Sequence, residues 1–357
     1  MRLVRAAAAG LIAMVTLAGC GAHAAKPSDA PTLAAGAYGT GEGLGVGVDD
    51  PSTAPSPAKS VAATGSSTAA PGATHAAAKV TSGTATGGGK ATSTSGPTAA
   101  PIPRGQKEVV RYGVPISGYP ALLDEAMAAG YRPVYLDGYD VGSAAYVNAV
   151  FRPADGVGWY QYIEMSASGY QSRFDSLKSQ GYRLVSVESY LNGGQVRYAG
   201  LWSKSSGPAS FAFHGYTATN YQTMLDKETA AGYLPANVSV VSVSGALSYT
   251  GLLVKRGLGS WELKSTLSPT DYNTLFKQEL KAGLAPAYLN AYTQNGAVKF
   301  VALFASSPAV QFEEHSGLSA TQAVSDTATE EKAGYLTSSA AGYDDGGQTH
   351  FIVCWSH

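Results

Sequence analysis

The sequence predicts an α+β repeat protein built from five 51-residue units, each a three-stranded antiparallel meander plus one helix, set in a closed or nearly closed ring. Three observations lead there. Gly-Tyr recurs at Gly130, Gly181, Gly232 and Gly334, with Gly-Leu at Gly283, so that every interval is 51 residues. Residues 105–357 number 253, close to five periods, and no interval carries an insertion. The domain opens with "QKEVVRYGV", which reads as the third strand of a unit, and closes with two strands ending at "HFIVCWSH"; on this reading the fifth unit is split between the ends and completed where they meet. The alternative arrangement is an open solenoid.

Within the period the columns separate into helix, turn and strand. Ser166, Thr217, Ser268 and Ser319 stand four residues before Tyr170, Tyr221, Tyr272 and Ala323, where a hydroxyl can accept from the free N–H groups of a helix's first turn. "SPTDYNTLFKQELKAG" has Ser268 as cap, Pro269 at the first helical position and Asp271 as a capping-box partner, then Tyr272, Leu275, Phe276 and Leu280 at helical spacing. The recurring glycines end these helices in a left-handed conformation. A strand of about eight residues follows, then turns such as "LNGGQ" and "TQNGA", whose Gly194, Gly245, Gly296 and Gly347 supply the positive φ of a tight hairpin, with Ser143 as the exception. The next strand carries two large columns four residues apart (Val147, Tyr198, Tyr249, Phe300 and Phe351; Phe151, Trp202, Leu253, Phe304 and Trp355), which share one face of a pleated strand and predict the core. One such unit cannot bury its own apolar face, so neighbours must complete it.

Ahead of the repeats, "MRLVRAAAAGLIAMVTLAGC" has two arginines and then an apolar run too short to span a bilayer, the pattern of a signal peptide over residues 1–20. Its Leu17-Ala18-Gly19-Cys20 end resembles the bacterial lipobox, which implies lipidation of Cys20, palmitate included, and attachment to the cell membrane outside the cytoplasm. Residues 21–104 are almost all Ala, Gly, Ser, Thr and Pro, too poor in large apolar side chains to offset their conformational entropy, and read as a disordered tether. A chain of that length reaches roughly 50 Å. Cys354 lies in an apolar strand and reads as a small buried hydrophobe. The repeats carry 17 basic against 21 acidic side chains, a net of −4, which excludes a nucleic-acid binder with a basic stripe.

"GYRLVSVESY", "RYAGLWSK" and "FHGYTATNYQTMLDKETAAGY" together resemble the bacterial tandem-repeat family of secreted actinobacterial proteins, whose repeats also form the N-terminal part of fungal polyglycine hydrolases. The resemblance spans residues 105–357. It departs from the pattern at Ala323 and Thr327, where a tyrosine and a large apolar residue are expected, and the β-lactamase-like catalytic domain of those hydrolases has no counterpart, so their activity is not implied.

Nor do catalytic motifs appear. Ser56 to Lys59 spell Ser-x-x-Lys inside the tether, but there is no Lys-Thr-Gly and no Gly-x-Ser-x-Gly. The histidines of the repeats, His214, His315, His350 and His357, occupy different columns and suggest neither a metal site nor a cofactor. Glu313-Glu314 reads as solvated edge charge and Asp344-Asp345 as turn residues. Tyr139, Tyr190, Tyr292 and Tyr343 recur at the structural period and read as core; side chains that break columns, Trp159, Tyr160, Tyr162 and Trp261, are the ligand-facing candidates. The expected function is a surface-tethered, non-enzymatic lipoprotein that binds a cell-wall glycopolymer or a Gly-rich peptide. The alternatives are a structural envelope spacer and a hydrolase with an unrecognised site.

Overall fold

The computed structural model describes residues 101–257, 259–306 and 311–357; the leader, Cys20 and the tether up to residue 100 lie outside the described residues. In the first unit a strand, β1 (Val109–Pro115), leads into helix α1 (Tyr119–Ala128), which returns the chain to β2 (Tyr131–Val141) and β3 (Ala144–Pro153). The second unit repeats this with β4 (Trp159–Met165), α2 (Ala167–Ser179), β5 (Arg183–Asn192) and β6 (Gln195–Ser203). The third has β7 (Ser210–Thr217), α3 (Ala218–Ala230), β8 (Tyr233–Val243) and β9 (Ala246–Lys255). The fourth has β10 (Trp261–Leu267), α4 (Pro269–Lys281), β11 (Leu284–Gln294) and β12 (Ala297–Ser306). The fifth has β13 (Phe312–Leu318), α5 (Ala320–Lys332), β14 (Leu336–Asp345) and β15 (Gln348–Ser356).

The N-cap hydroxyls act as the sequence predicts, whereas Asp271 does not complete a capping box: its carboxylate accepts from the Ser268 hydroxyl at 2.6 Å in place of the N-cap backbone. Ser166, Thr217, Ser268 and Ser319 each accept from a backbone N–H three residues on, and Ser319 with Gln322 closes a full capping box. The five glycines after the helices all have φ between 78° and 96°.

The sheets correct one expectation. Their order is β1-β3-β2 in the first unit and equivalent in the others, so they are not meanders in chain order. The strand before each helix pairs with the last strand of its own unit, as Val110 does with Val150. It runs parallel to the strand after the helix, and parallel strands need a crossover, which the helix supplies. Each unit is therefore contiguous, and none is split between the ends: "QKEVVRYGV" begins the first unit and "HFIVCWSH" ends the fifth. A period of 51 reads the same from any starting point. It carries no phase; hydrogen bonding sets it.

The inner strands β2, β5, β8, β11 and β14 touch one another in cyclic order, the last against the first. Among the described residues no ladder joins one sheet to the next, so the ring is not a barrel. Each inner strand has a free edge that would strand N–H and C=O groups in the interior. Side chains of the neighbouring unit satisfy several of them. Ser239 Oγ accepts from Ser189 N at 3.0 Å and donates to Ser189 O at 3.0 Å; Ser339 does the same for Leu289 at 3.2 and 2.8 Å. Asn148 Nδ2 donates to Ala340 O at 3.2 Å, and Asp137 accepts from Gly342 N at 2.9 Å, across the join between last and first units. At Gly342 a Cβ would fall 2.3 Å from the Tyr139 ring, so only glycine lets the two units meet there.

The join also explains the unusual fifth helix. In the fourth unit the helix tyrosine Tyr272 packs on Phe300 with ring centroids 5.2 Å apart. In the fifth, Ala323 leaves that place open, and Tyr112 from the first unit fills it, 5.3 Å from Phe351, with its hydroxyl 2.7 Å from Thr327 Oγ1. Trp355 Nε1 donates to the same oxygen at 3.2 Å. Farther out, Glu108 accepts from Thr337 N and Oγ1 at 2.8 and 2.7 Å, and from Arg152. Tyr112→Ala should therefore lower the unfolding free energy by roughly 2–3 kcal/mol, somewhat less than the ~3–5 kcal/mol of a fully buried aromatic because Tyr112 is half-buried. Urea denaturation measures it; a change within about 0.5 kcal/mol, the size typical of a surface substitution, would mean an open array with Tyr112 at a free end.

Candidate functional site

Two clusters stand out from the repeat. The first is on the axis, where one column reads Asp137, Glu188, Ser239, Asn290 and Ala341. Both carboxyls are buried, at 0% and 1% exposure. Asp137 accepts from Asn290 Nδ2 at 3.0 Å, Asn148 Nδ2 at 3.1 Å and Gly342 N. Glu188 accepts from Tyr288 Oη at 2.9 Å and from the same Asn290 amide at 3.4 Å. No Lys, Arg or His contributes to the charge balance of either. Burial raises the Asp137 carboxyl to about 7 despite its hydrogen bonds. Burial, and then the charge of Asp137, raises Glu188 well above the usual carboxylate range. Asp137, with three good donors, is the better anion; Glu188 is the natural proton carrier, and Asn237 beside it has a buried Oδ1 with no donor.

Two carboxyls at different protonation suggest acid–base chemistry, but a polymer cannot reach groups sealed in the ring centre. A cavity of about 20 Å³ lies beside the axis, lined by all five units through residues such as Asp140, Ser189, Ser242, Thr293 and Asp344. It holds about one water. The axial cluster is the hub of the fold.

The second cluster lies on the rim of the second unit. Tyr162 and Tyr160, two apart on β4, project to one side of the strand and stack at 6.3 Å. Tyr160 meets the edge of Tyr182, the residue after the helix-ending glycine, at 4.9 Å. Cations close both ends: Arg173 lies 4.5 Å over Tyr162, and Lys204 Nζ 5.4 Å over Tyr182. Tyr160 and Tyr182 are half-buried, Arg173 and Lys204 exposed.

Of the residues chosen from sequence, Tyr160 is on this strip and open to solvent. Tyr162 is 7% exposed and forms its back wall, so it does not face a ligand; its ring packs edge-on to Trp202. Trp159 is half-buried and packs on the first unit's core, in the column where Glu108 binds the fifth unit. Trp261 is half-buried at the start of β10, opposite Ala305, away from the strip in sequence and sheet. Tyr182 was missed because it belongs to the Gly-Tyr column. Arg173 was missed too, although it breaks a column of Leu122, Met224 and Leu275, the same signal that picked out Tyr160.

Other expectations resolve simply. Glu314 is not solvated edge charge: it is 8% exposed, and burial raises its carboxyl to about 8 beside Tyr272. The pairing of β13 with β15 turns it inward, whereas the sequence shows only two adjacent acids. Asp344 does serve its turn, accepting from Gly347 N at 2.6 Å. Cys354 is buried and burial raises its thiol to about 12, which leaves it unreactive. Tyr139, Tyr190, Tyr292 and Tyr343 are all buried. His315 Nδ1 lies 2.8 Å from Asp326 Oδ2, and His214 sits between Tyr170 and Tyr198.

The raised carboxyls set the sign of a pH effect. A folded-state acid that keeps its proton above its unfolded pKa makes folding most favourable at low pH, and that stability is lost as pH climbs to the folded value. For Asp137 the window runs from its ordinary 3.8 to about 7, and Glu188 extends it upward. Unfolding free energy should fall from pH 5 to 7 by up to about 1.4 kcal/mol per unit for each retained proton. Glu188→Gln should flatten the slope, read from denaturation midpoints across the range; an unchanged slope would exclude Glu188 as the carrier.

The polyglycine hydrolase-like structural repeat family matches residues 105–154, 156–205, 207–256 and 259–307, and its unit boundaries coincide with those set by the strand pairing. With four tandem matches covering more than half of its length, this chain belongs to the polyglycine hydrolase-like structural repeat family.

Proposed function

We propose that this protein is a lipid-anchored envelope protein whose repeat ring binds an extended polymer along the rim of its second unit, without cleaving it. The observation that carries this is the half-buried pair Tyr160–Tyr182, with ring centroids 4.9 Å apart and Tyr162 stacked behind Tyr160 at 6.3 Å. Stacking aromatics grip sugars and extended chains through their faces, and this pair departs from the repeat at β4, where other units place Val109, Phe211, Glu262 and Glu313 opposite Tyr160. The acid pair on the axis is sealed from any polymer, which supports binding over hydrolysis.

The lipobox-like Leu17-Ala18-Gly19-Cys20 supports membrane attachment, and the tether supports display away from the bilayer. Cys20→Ser should abolish labelling by a fatty-acid analogue and release the protein from the membrane fraction; persistent labelling would refute the anchor. For binding, the full chain in detergent should co-sediment with isolated cell-wall material. Tyr182→Ala should weaken this about tenfold, the effect of a modest hot spot, while shifting the unfolding midpoint little. Equal co-sedimentation of both proteins would exclude the strip, and release of soluble fragments by the purified chain would overturn the non-enzymatic reading.

A further inference from the structure

The cations beside the strip gather in a combination that no other unit has. Arg173 stands on α2 where the first, third and fourth units have Leu122, Met224 and Leu275, apolar residues that pack on the unit's core, and the fifth has Asp326, which pairs with His315 at 2.8 Å. Lys204 follows the end of β6 where the first and fourth units have Pro153 and Ser306; the third unit shares the lysine, with Lys255 Nζ 5.8 Å over Tyr233. Arg183, at the start of β5, takes the column of Leu234, Ala285 and Leu336, and its guanidinium lies against Gly207 on the loop that leaves Lys204. The first unit has Arg132 in that column, but Asp155 neutralises it at 2.7 Å. Among the described residues the ion pairs include none of Arg173, Arg183 and Lys204. The second unit is the one unit with a cation in all three columns, in a domain whose net charge is −4.

Asp326 is offset by His315 within its own unit, whereas an exposed arginine at this position forfeits apolar burial with no ion pair in return among the described residues. Arg173 and Lys204 cap the two ends of the aromatic path, so a ligand that lies on the rings meets positive charge at both ends. Each cation now rests over a tyrosine, an arrangement worth about 0.5–1 kcal/mol at an exposed site, weak enough for an incoming anion to redirect. Arginine offers planar, two-pronged donation to a carboxylate or phosphate, and the lysine a point charge.

We infer that the rim of the second unit is a binding site for an anionic glycopolymer, its sugar rings lying along Tyr160 and Tyr182 and its acidic groups on Arg173, Arg183 and Lys204. This rests on the polymer-binding reading above and names the ligand class. Phosphodiester-linked and uronate polymers share the required chemistry, alternating sugar or polyol faces with regularly spaced negative charge.

The test uses the full chain in detergent and four soluble probes of matched length: a polyglycerol phosphate, a polygalacturonate, a neutral glucan and single-stranded DNA. Binding to at least one of the first two is expected at ten times or more the affinity for the glucan, and it should weaken as salt is raised. The polymer that binds better identifies phosphate or carboxylate as the acidic group. Arg173→Leu and Lys204→Ser install residues that other units already carry, so the fold should tolerate them. Each should reduce charged-polymer binding about tenfold, in line with loss of one charged hydrogen bond, and leave glucan binding and the unfolding midpoint unchanged. Equal affinity for glucan and charged polymers, untouched by both variants, would overturn the anionic class and leave the polymer-binding reading standing. Binding of DNA as tight as that of either glycopolymer would show that the patch reads charge alone and would also overturn it. If neither the probes nor cell-wall material binds, both readings fall.

Discussion

Five sheet edges converge on one axis and cannot pair with each other. That single constraint governs the rest of the structure. A strand at the edge of a sheet normally hydrogen-bonds to water or to another strand, and here it touches its neighbours without pairing with them. Its backbone groups must find donors and acceptors among side chains of the next unit, since an orphaned buried amide loses about as much as a hydrogen bond gains. Ser239, Ser339, Asn148 and Asp137 do this across three of the joins, which is why polar residues stand at buried positions around the axis.

Polar side chains on an axis bring a consequence of their own. Once Asp137 and Glu188 are enclosed together, with Asn290 donating to both, there is no cation to balance them, and a bound proton is the cheapest remedy. The raised carboxyls are thus a by-product of closing the ring. They resemble an acid–base pair in chemistry and lack its access to solvent. This separates the molecule into a hub, where unusual electrostatics serve the fold, and a rim, where the second unit's departures from the repeat gather.

Tyr112 shows how far the units have diverged while keeping one geometry. It stands in a column with Ile163, His214, Ser265 and Ser316, and supplies to the fifth unit the aromatic ring that Ala323 lacks. His214 makes the equivalent reach onto Tyr170 of the second unit, at 4.9 Å. The same strand position therefore leans on the preceding helix at both places, and the last-to-first join is built like an internal one.

Periodicity, caps and turn residues were enough to determine the number of units, the helix starts and ends, the hairpin turns and the core columns, because each depends on contacts within a few residues or on a side chain's place in the period. Column breaks such as Tyr160 and Arg173 were equally legible, since they need only comparison among units. What only the tertiary structure decided was phase and contact: which helix-preceding strand pairs with which unit, that Glu314 and Tyr162 point inward, and that Asp137 meets Glu188 across two units. Those outcomes depend on hydrogen-bond register and on the angle at which neighbouring sheets meet. A one-dimensional repeat is blind to both, because it looks the same wherever counting begins.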